Sequence, residues 1–130
     1  MTIPSDLLYT EEHEWARREK GNIVVIGITD FAQEQLGSIV YVELPAEGVE
    51  VAKGDPIGQI ESTKSVSEIY APVSGTIIEV NGELEGSPEL LNSNPYEEGW
   101  MLRIRLESPD ELVELLVDSE YAEQIAESDN

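Results

Sequence analysis

The sequence predicts a mainly β protein whose antiparallel strands build a sandwich or barrel, with a few short helices at its margins. Three observations predict it: apolar runs of strand character recur along the chain, turn residues separate them, and one run alternates with period two. The runs are Ile23 to Ile28, Ile39 to Leu44, Pro56 to Ile60, Ser67 to Ala71, Thr76 to Val80 and Met101 to Leu106. Pro45, Gly48, Gly54, Pro56, Pro72, Gly75, Gly82, Gly86 and Pro88 punctuate the middle at the spacing of hairpins.

Taken in order, "GNIVVIGI" and "SIVYVEL" are apolar on both faces, as expected of strands inside such a fold. Between them Asp30-Phe31-Ala32-Gln33 fits a capping box, and Gly37 after Leu36 fits a C-terminal stop, so a helix of about two turns is expected over 30–36. "GVEVAKGDPIGQIES" and "GTIIEVNGELEGSPEL" form a weak repeat of strand, Gly-bearing turn and second apolar piece, which allows two halves paired about a pseudo-dyad. In "MLRIRL", Leu102, Ile104 and Leu106 alternate with Arg103 and Arg105, the mark of a strand with one wet face. Ser108-Pro109-Asp110-Glu111 combines a cap hydroxyl, a proline at the first helical position and acids at the positive helix end. Leu112, Leu115 and Leu116 give that helix an apolar stripe to lay on the sheet. A last amphipathic segment starts at Asp118 or Ser119, with Tyr121 and Ile125 on one side and a terminal SDN expected to fray.

Composition narrows the function. A chain of 130 residues is expected to form a single domain over 1–130, with a core that needs no metal or disulfide. Cysteine is absent, so redox or sulfur chemistry has to arrive on a cofactor. The N-terminus lacks the basic flank and apolar core of a leader, and no stretch approaches the ~18 apolar residues of a membrane span, so a cytoplasmic protein is the expectation. With 28 acidic residues against 7 basic ones the net charge is −21, which makes nucleic acid and anionic membranes poor partners. The acids are dispersed among apolar residues, the pattern of a solvated surface; adaptation to a salty interior and docking onto basic partner enzymes are the sharper readings.

Chemistry concentrates at Lys64. Lys20 in "REKGN" and Lys53 in "AKGD" sit in ordinary polar turns. Lys64, in "GQIESTKSVSEIYAP", stands at a turn without glycine or proline between two strand runs, where its ammonium is expected to have no partner at a helix C-terminus. Around it Glu61, Ser62, Thr63, Ser65, Val66 and Ser67 are small, acidic or β-branched, as though the turn existed to present one long side chain. An exposed ε-amine on a stiff hairpin is what a modifying enzyme needs for acylation. His13 is the single histidine, so a multi-imidazole zinc site is impossible, and with no GxSxG elbow a hydrolase triad has little support. Beside Trp15 it reads as a packed structural residue. Trp15, Trp100, Phe31 and the tyrosines are too scattered for a stacking platform, and Gly82 to Gly86 lacks the pattern of a phosphate cradle.

The motifs "YTEEHEW", "GITDFAQEQLGSIVYVELPAEG", "ESTKS", "YAPVSGTIIEVN", "LNSNPYEEGWMLRI" and "SPDELVELL", in that order over nearly the whole chain, resemble the H proteins of the glycine cleavage system. The resemblance implies a flattened barrel, the barrel-sandwich hybrid of lipoyl and biotinyl carrier domains, and a non-catalytic carrier whose Lys64 holds (R)-lipoate in amide linkage. A pyridoxal-phosphate glycine decarboxylase would leave an aminomethyl group on one lipoyl sulfur. A tetrahydrofolate-dependent aminomethyltransferase would take the one-carbon unit and free ammonia, and dihydrolipoyl dehydrogenase would restore the dithiolane. Lipoate-attaching enzymes join these as partners, and the compartment is the cytoplasm, or the mitochondrion for a mature eukaryotic form. Acylation of Lys64 would move the formal charge from −21 to −22.

By the same resemblance the aminomethylated arm shelters in a cleft, which slows its hydrolysis, and the candidate residues of that cleft are Glu14, Gln35 and Glu68. A carboxylate beside a protonated amine makes a charge-assisted hydrogen bond, stronger where water is partly excluded. The acceptor turn departs from the common ESVKA of the family: Thr63 keeps the branched shape of valine and Ser65 the small size of alanine. Alternatives at this point are an H-like carrier that relays lipoate to other proteins, the lipoyl module of a 2-oxo acid dehydrogenase acyltransferase, and an unmodified interaction protein. The acyltransferase module is shorter with a DKA turn, and a biotin carrier would show MKM where this chain has Thr63-Lys64-Ser65.

Overall fold

The computed structural model describes residues 2–128. Nine strands form two antiparallel sheets: β1 (Leu8–Tyr9), β2 (Glu14–Glu19), β3 (Ile23–Ile28), β4 (Ile39–Glu43), β5 (Glu50–Val51), β6 (Pro56–Ser62), β7 (Val66–Tyr70), β8 (Gly75–Val80) and β9 (Leu102–Leu106). One sheet has the order β1-β2-β3-β9-β8-β5 and the other β4-β6-β7. Helix α1 (Asp30–Leu36) links the sheets, α2 (Glu83–Gly86) and α3 (Leu90–Ser93) are single turns, a 3-10 helix covers Pro109–Glu114, and α4 (Asp118–Ser128) closes the described chain. None of these helices is long and apolar enough to cross a membrane.

Side chains from both sheets join one buried cluster, including Val24, Ile26 and Ile28 of β3, Ile60 of β6, Ile77 of β8 and Ile104 of β9. This shared core between two open sheets is the flattened barrel-sandwich arrangement. The other side of β3 is covered as well, because Val25 belongs to a second cluster with Trp15, Phe31, Tyr9 and Tyr121. Gly27 makes room for that cluster: a Cβ there would lie 2.6 Å from the Trp15 ring. Every expected strand forms, with ends shifted by a residue or two.

Several expectations are corrected. The run "SIVYVEL" is not apolar-buried on both faces, because a bulge between Ile39 and Tyr41 turns Val40 and Tyr41 outward, each 52% exposed. In the weak repeat β5 of the first half pairs with β8 of the second, but the second half continues into the helical turn α2 rather than a second strand. Helix α1 is capped by Thr29, whose hydroxyl accepts from Ala32 N, while Asp30 lies in the first turn and accepts from Gln33 Nε2. Its C-terminal stop at Gly37 forms as expected, with φ 83° and the cap N–H donating to Gln33 O.

The segment after Ser108 is a 3-10 helix without a side-chain cap bond. It ends early because Leu116 exchanges two backbone hydrogen bonds with Tyr9, each 2.8 Å, which holds Leu115 and Leu116 extended. Leu112 and Leu115 still enter the main core, and Leu116 packs against the second cluster. Tyr121 and Ile125 are buried along α4, as the pattern implied; Asp129 and Asn130 of the terminal SDN lie outside the described residues.

Candidate functional site

Lys64 stands at the apex of the β6–β7 hairpin, with Thr63 and Ser65 as its neighbours in a three-residue connection. The turn is built without positive φ. Ser62 N donates to Ser65 O at 2.8 Å, and the buried Ser62 hydroxyl accepts from Ser65 N at 3.1 Å and from Lys64 N at 3.3 Å. Thr63 N donates to Ser38 O at 3.0 Å, which ties the apex to the entry of β4. One small side chain thus does the work that Asn-Gly would do elsewhere, and Lys64 is left exposed.

The lysine is not remote from a helix end, contrary to the expectation from sequence. Its stem lies over the C-terminus of α1, where a Cβ on Gly37 would come 3.3 Å from Lys64 Cε and 3.9 Å from Nζ. The partial negative charge of helix carbonyls favours an ammonium there. Asn92 braces this corner: its amide nitrogen donates to Gln33 Oε1 and Gly37 O, both at 2.9 Å, and its oxygen accepts from Ile39 N at 2.9 Å.

Beside the apex opens a cleft of about 130 Å³. Ile28, Ala32, Leu36 and Ile69 give it an apolar lining, and Gln35, Glu68, His13, Glu12 and Ser67 supply polar groups. Two of the three residues named for an arm cleft, Gln35 and Glu68, therefore meet in one place. Glu14 is elsewhere, 1% exposed, lining a neighbouring cavity of about 330 Å³ that shares Glu12 with the cleft. Its carboxylate accepts from Thr10 Oγ1 at 2.8 Å and from Tyr70 N at 3.0 Å. Burial pushes its pKa up to about 7, against the pull of those two donors toward the charged form.

His13 lies at the cleft wall with φ 70°, its ring against Phe31 and its Nδ1 2.9 Å from the Tyr121 hydroxyl, the packed structural role its sequence context implied. Burial lowers its pKa, so the neutral imidazole is favoured. Lys53 pairs with Glu114, and Lys20 lies in the β2–β3 turn. Ser62 was named from sequence as a flank of the turn but not as its brace, and the apolar lining and the Asn92 brace were not singled out, because each is an ordinary residue made special only by its neighbours. An exposed primary amine is open to acylation, and the part-apolar, part-acidic cleft beside it can accept an apolar chain and a cationic group.

A family model described as Glycine cleavage H-protein matches residues 7–128. A glycine cleavage system H protein of Anaeromyxobacter sp. (strain K) is 54% identical over 129 residues, covering 99% of this chain and all of its own. One of Listeria monocytogenes serotype 4b is 56% identical over 121 residues, 93% of this chain and 96% of its own. The crystal structure of a glycine cleavage system H protein from Mycobacterium marinum superposes with a TM-score of 0.89 at 40% identity, covering 95% of this chain and 99% of that one.

Proposed function

The chain belongs to the family of glycine cleavage H proteins, carrier subunits that are not themselves catalysts, and from that premise we propose that Lys64 is the lipoyl acceptor. The observation that carries this reading is the exposed amine on a rigid apex beside the cleft. The residues fit the group: Ile28, Ala32, Leu36 and Ile69 suit an alkyl chain and a dithiolane ring, while Glu68 and Gln35 suit an amine at its end. When bound, (R)-lipoate would supply disulfide–dithiol chemistry: a sulfur to accept the aminomethyl group and, once an outside acceptor has removed that group, a dithiol for an outside oxidant to close again.

The chain's own residues do the rest. Lys64 Nζ forms the amide, so the cation is lost and with it the attraction to the α1 C-terminus, which frees the stem to swing. Glu68 offers a carboxylate and Gln35 an amide oxygen to a protonated amine in the cleft, and the apolar lining limits the water that would hydrolyse it. Membership of the glycine cleavage system implies partner enzymes; those proposed are glycine decarboxylase, the aminomethyltransferase, dihydrolipoyl dehydrogenase and the lipoate-attaching enzymes.

Intact mass of protein made in a lipoate-competent host tests the assignment. One lipoyl increment is expected, and Lys64→Ala should abolish it with stability held within ~0.5 kcal/mol, as for a surface substitution. Wild-type protein that carries no increment overturns it. With the proposed partners added, glycine-dependent NADH formation should follow the loaded fraction.

A further inference from the structure

We propose that Tyr121, on the C-terminal helix, is a positioning residue for the cleft: its hydroxyl joins the His13 loop to the cap of α1 and so fixes two lining segments relative to one another. This rests on reading the cleft as the shelter of an arm on Lys64. Tyr121 is fully buried, and among the described residues none from α4 lines the cleft, so any influence has to pass through intermediaries.

Those intermediaries are two. The Tyr121 hydroxyl is 2.9 Å from His13 Nδ1 and 2.7 Å from Thr29 Oγ1. His13 is itself part of the cleft wall. Thr29 Oγ1 also accepts from Ala32 N, and the helix it caps brings Ala32, Gln35 and Leu36 to the same cleft. A phenol suits this place because it donates one hydrogen bond and accepts another, linking an imidazole nitrogen to a hydroxyl whichever tautomer His13 holds.

The His13 loop needs such a partner. A non-glycine residue at φ 70° is in a sparsely populated conformation and persists only where its surroundings over-determine it. Here Thr29 N donates to His13 O at 3.1 Å, the Phe31 ring lies 4.7 Å from the imidazole, and Tyr121 holds its Nδ1. The Tyr121 ring is fixed in turn by stacking on Tyr9 at 4.7 Å with planes 7° apart, and Gln124 Nε2 donates to Glu11 O at 3.1 Å. Helix α4 therefore grips the 11–13 segment at two points, while its hydroxyl reaches across to α1.

Tyr121→Phe keeps the stack and deletes both bonds. Tyr9→Phe is the control: its hydroxyl donates to Pro4 O and touches neither lining segment. Because the chain has no cysteine, every thiol in the lipoylated, phosphine-reduced protein belongs to the arm; once formaldehyde and ammonia have placed an aminomethyl group on one sulfur with loss of water, alkylation of the other by iodoacetamide reads shelter of that arm directly. Intact mass first establishes loading of all three proteins; absence of the increment in wild type refutes the acceptor reading and the proposal with it. Wild-type alkylation slower than in urea-unfolded protein is then expected; equal rates overturn the shelter, and with it the proposal, but leave the acceptor standing.

Given shelter, Tyr121→Phe should alkylate about fivefold faster, the loss of roughly one net hydrogen bond, and Tyr9→Phe within about twofold of wild type. The signals of His13, the single histidine, should shift in Tyr121→Phe alone. An unchanged alkylation rate in Tyr121→Phe, whatever its melting temperature, overturns the proposal. If that variant fails to fold, Thr29→Val withdraws the hydroxyl from the other side of the same bond, and the same two outcomes decide.

Discussion

At the scale of single residues, burial of Glu14 makes the clearest prediction. Its pKa is raised in the folded state, so its contribution to stability is fully present below the unfolded value near 4.5 and is lost as pH rises through about 7. Urea titrations at successive pH values should show the wild type losing on the order of 3 kcal/mol more between pH 4.5 and 8 than Glu14→Gln, which cannot ionise. Parallel profiles for the two proteins would refute the burial argument. Gly27 is a second case: Ala would place its Cβ 2.6 Å from a Trp15 ring that is fully buried and donates from Nε1 to Pro95 O. The ring has nowhere to move, so Gly27→Ala should cost about 1–3 kcal/mol in chemical denaturation. Sequence patterning marked Lys64 but passed over Gly27, since a lone glycine in an apolar run says nothing about which side chain crosses it.

Among the elements, the β6–β7 hairpin and the α1 corner decide how the lysine is offered. Ser62 supplies the bonds that replace a Gly turn, so Ser62→Ala should cost about 1 kcal/mol and slow lipoylation in a timed mass assay without changing the strand content. Asn92 ties α3 to α1 and β4, and Asn92→Ala strips partners from Ile39 N and Gly37 O; a loss of about 1–3 kcal/mol is expected in the same denaturation assay. The strands and α1 were legible because their apolar periods and stop signals are local. β2 was not, nor were the two-residue strands β1 and β5: burial along β2 does not alternate and "EWARRE" is two-thirds charged, so its place comes from six consecutive pairings with β3. The 3-10 segment differs from the α-helix its start signals suggest for the same reason, a long-range bond pair with Tyr9.

Across the whole molecule the net charge of −21 acts on both stability and association. Like charges on one surface repel, and raising salt from physiological strength to 1 M shortens their reach from ~8 Å to ~3 Å. The melting temperature should therefore rise with salt, while exchange with the proposed decarboxylase should weaken; exchange that strengthens with salt would assign the acidity to a saline interior instead of to docking. Both responses can be read on one sample, by calorimetry and by the salt dependence of the reconstituted reaction.

The sequence by itself determined the β class, most strands, the turn that bears Lys64 and the motif series that marks the family, because hydrophobic period, turn chemistry and motif order are properties of neighbours along the chain. Only the tertiary structure decided that Gln35 and Glu68 share a cleft, that Glu14 lines the cavity beside it, that Lys64 lies across Gly37, and that Tyr121 bridges His13 to Thr29. Those meetings join residues from different strands and helices, and their bond distances and desolvation exist only once the two sheets close over a common core.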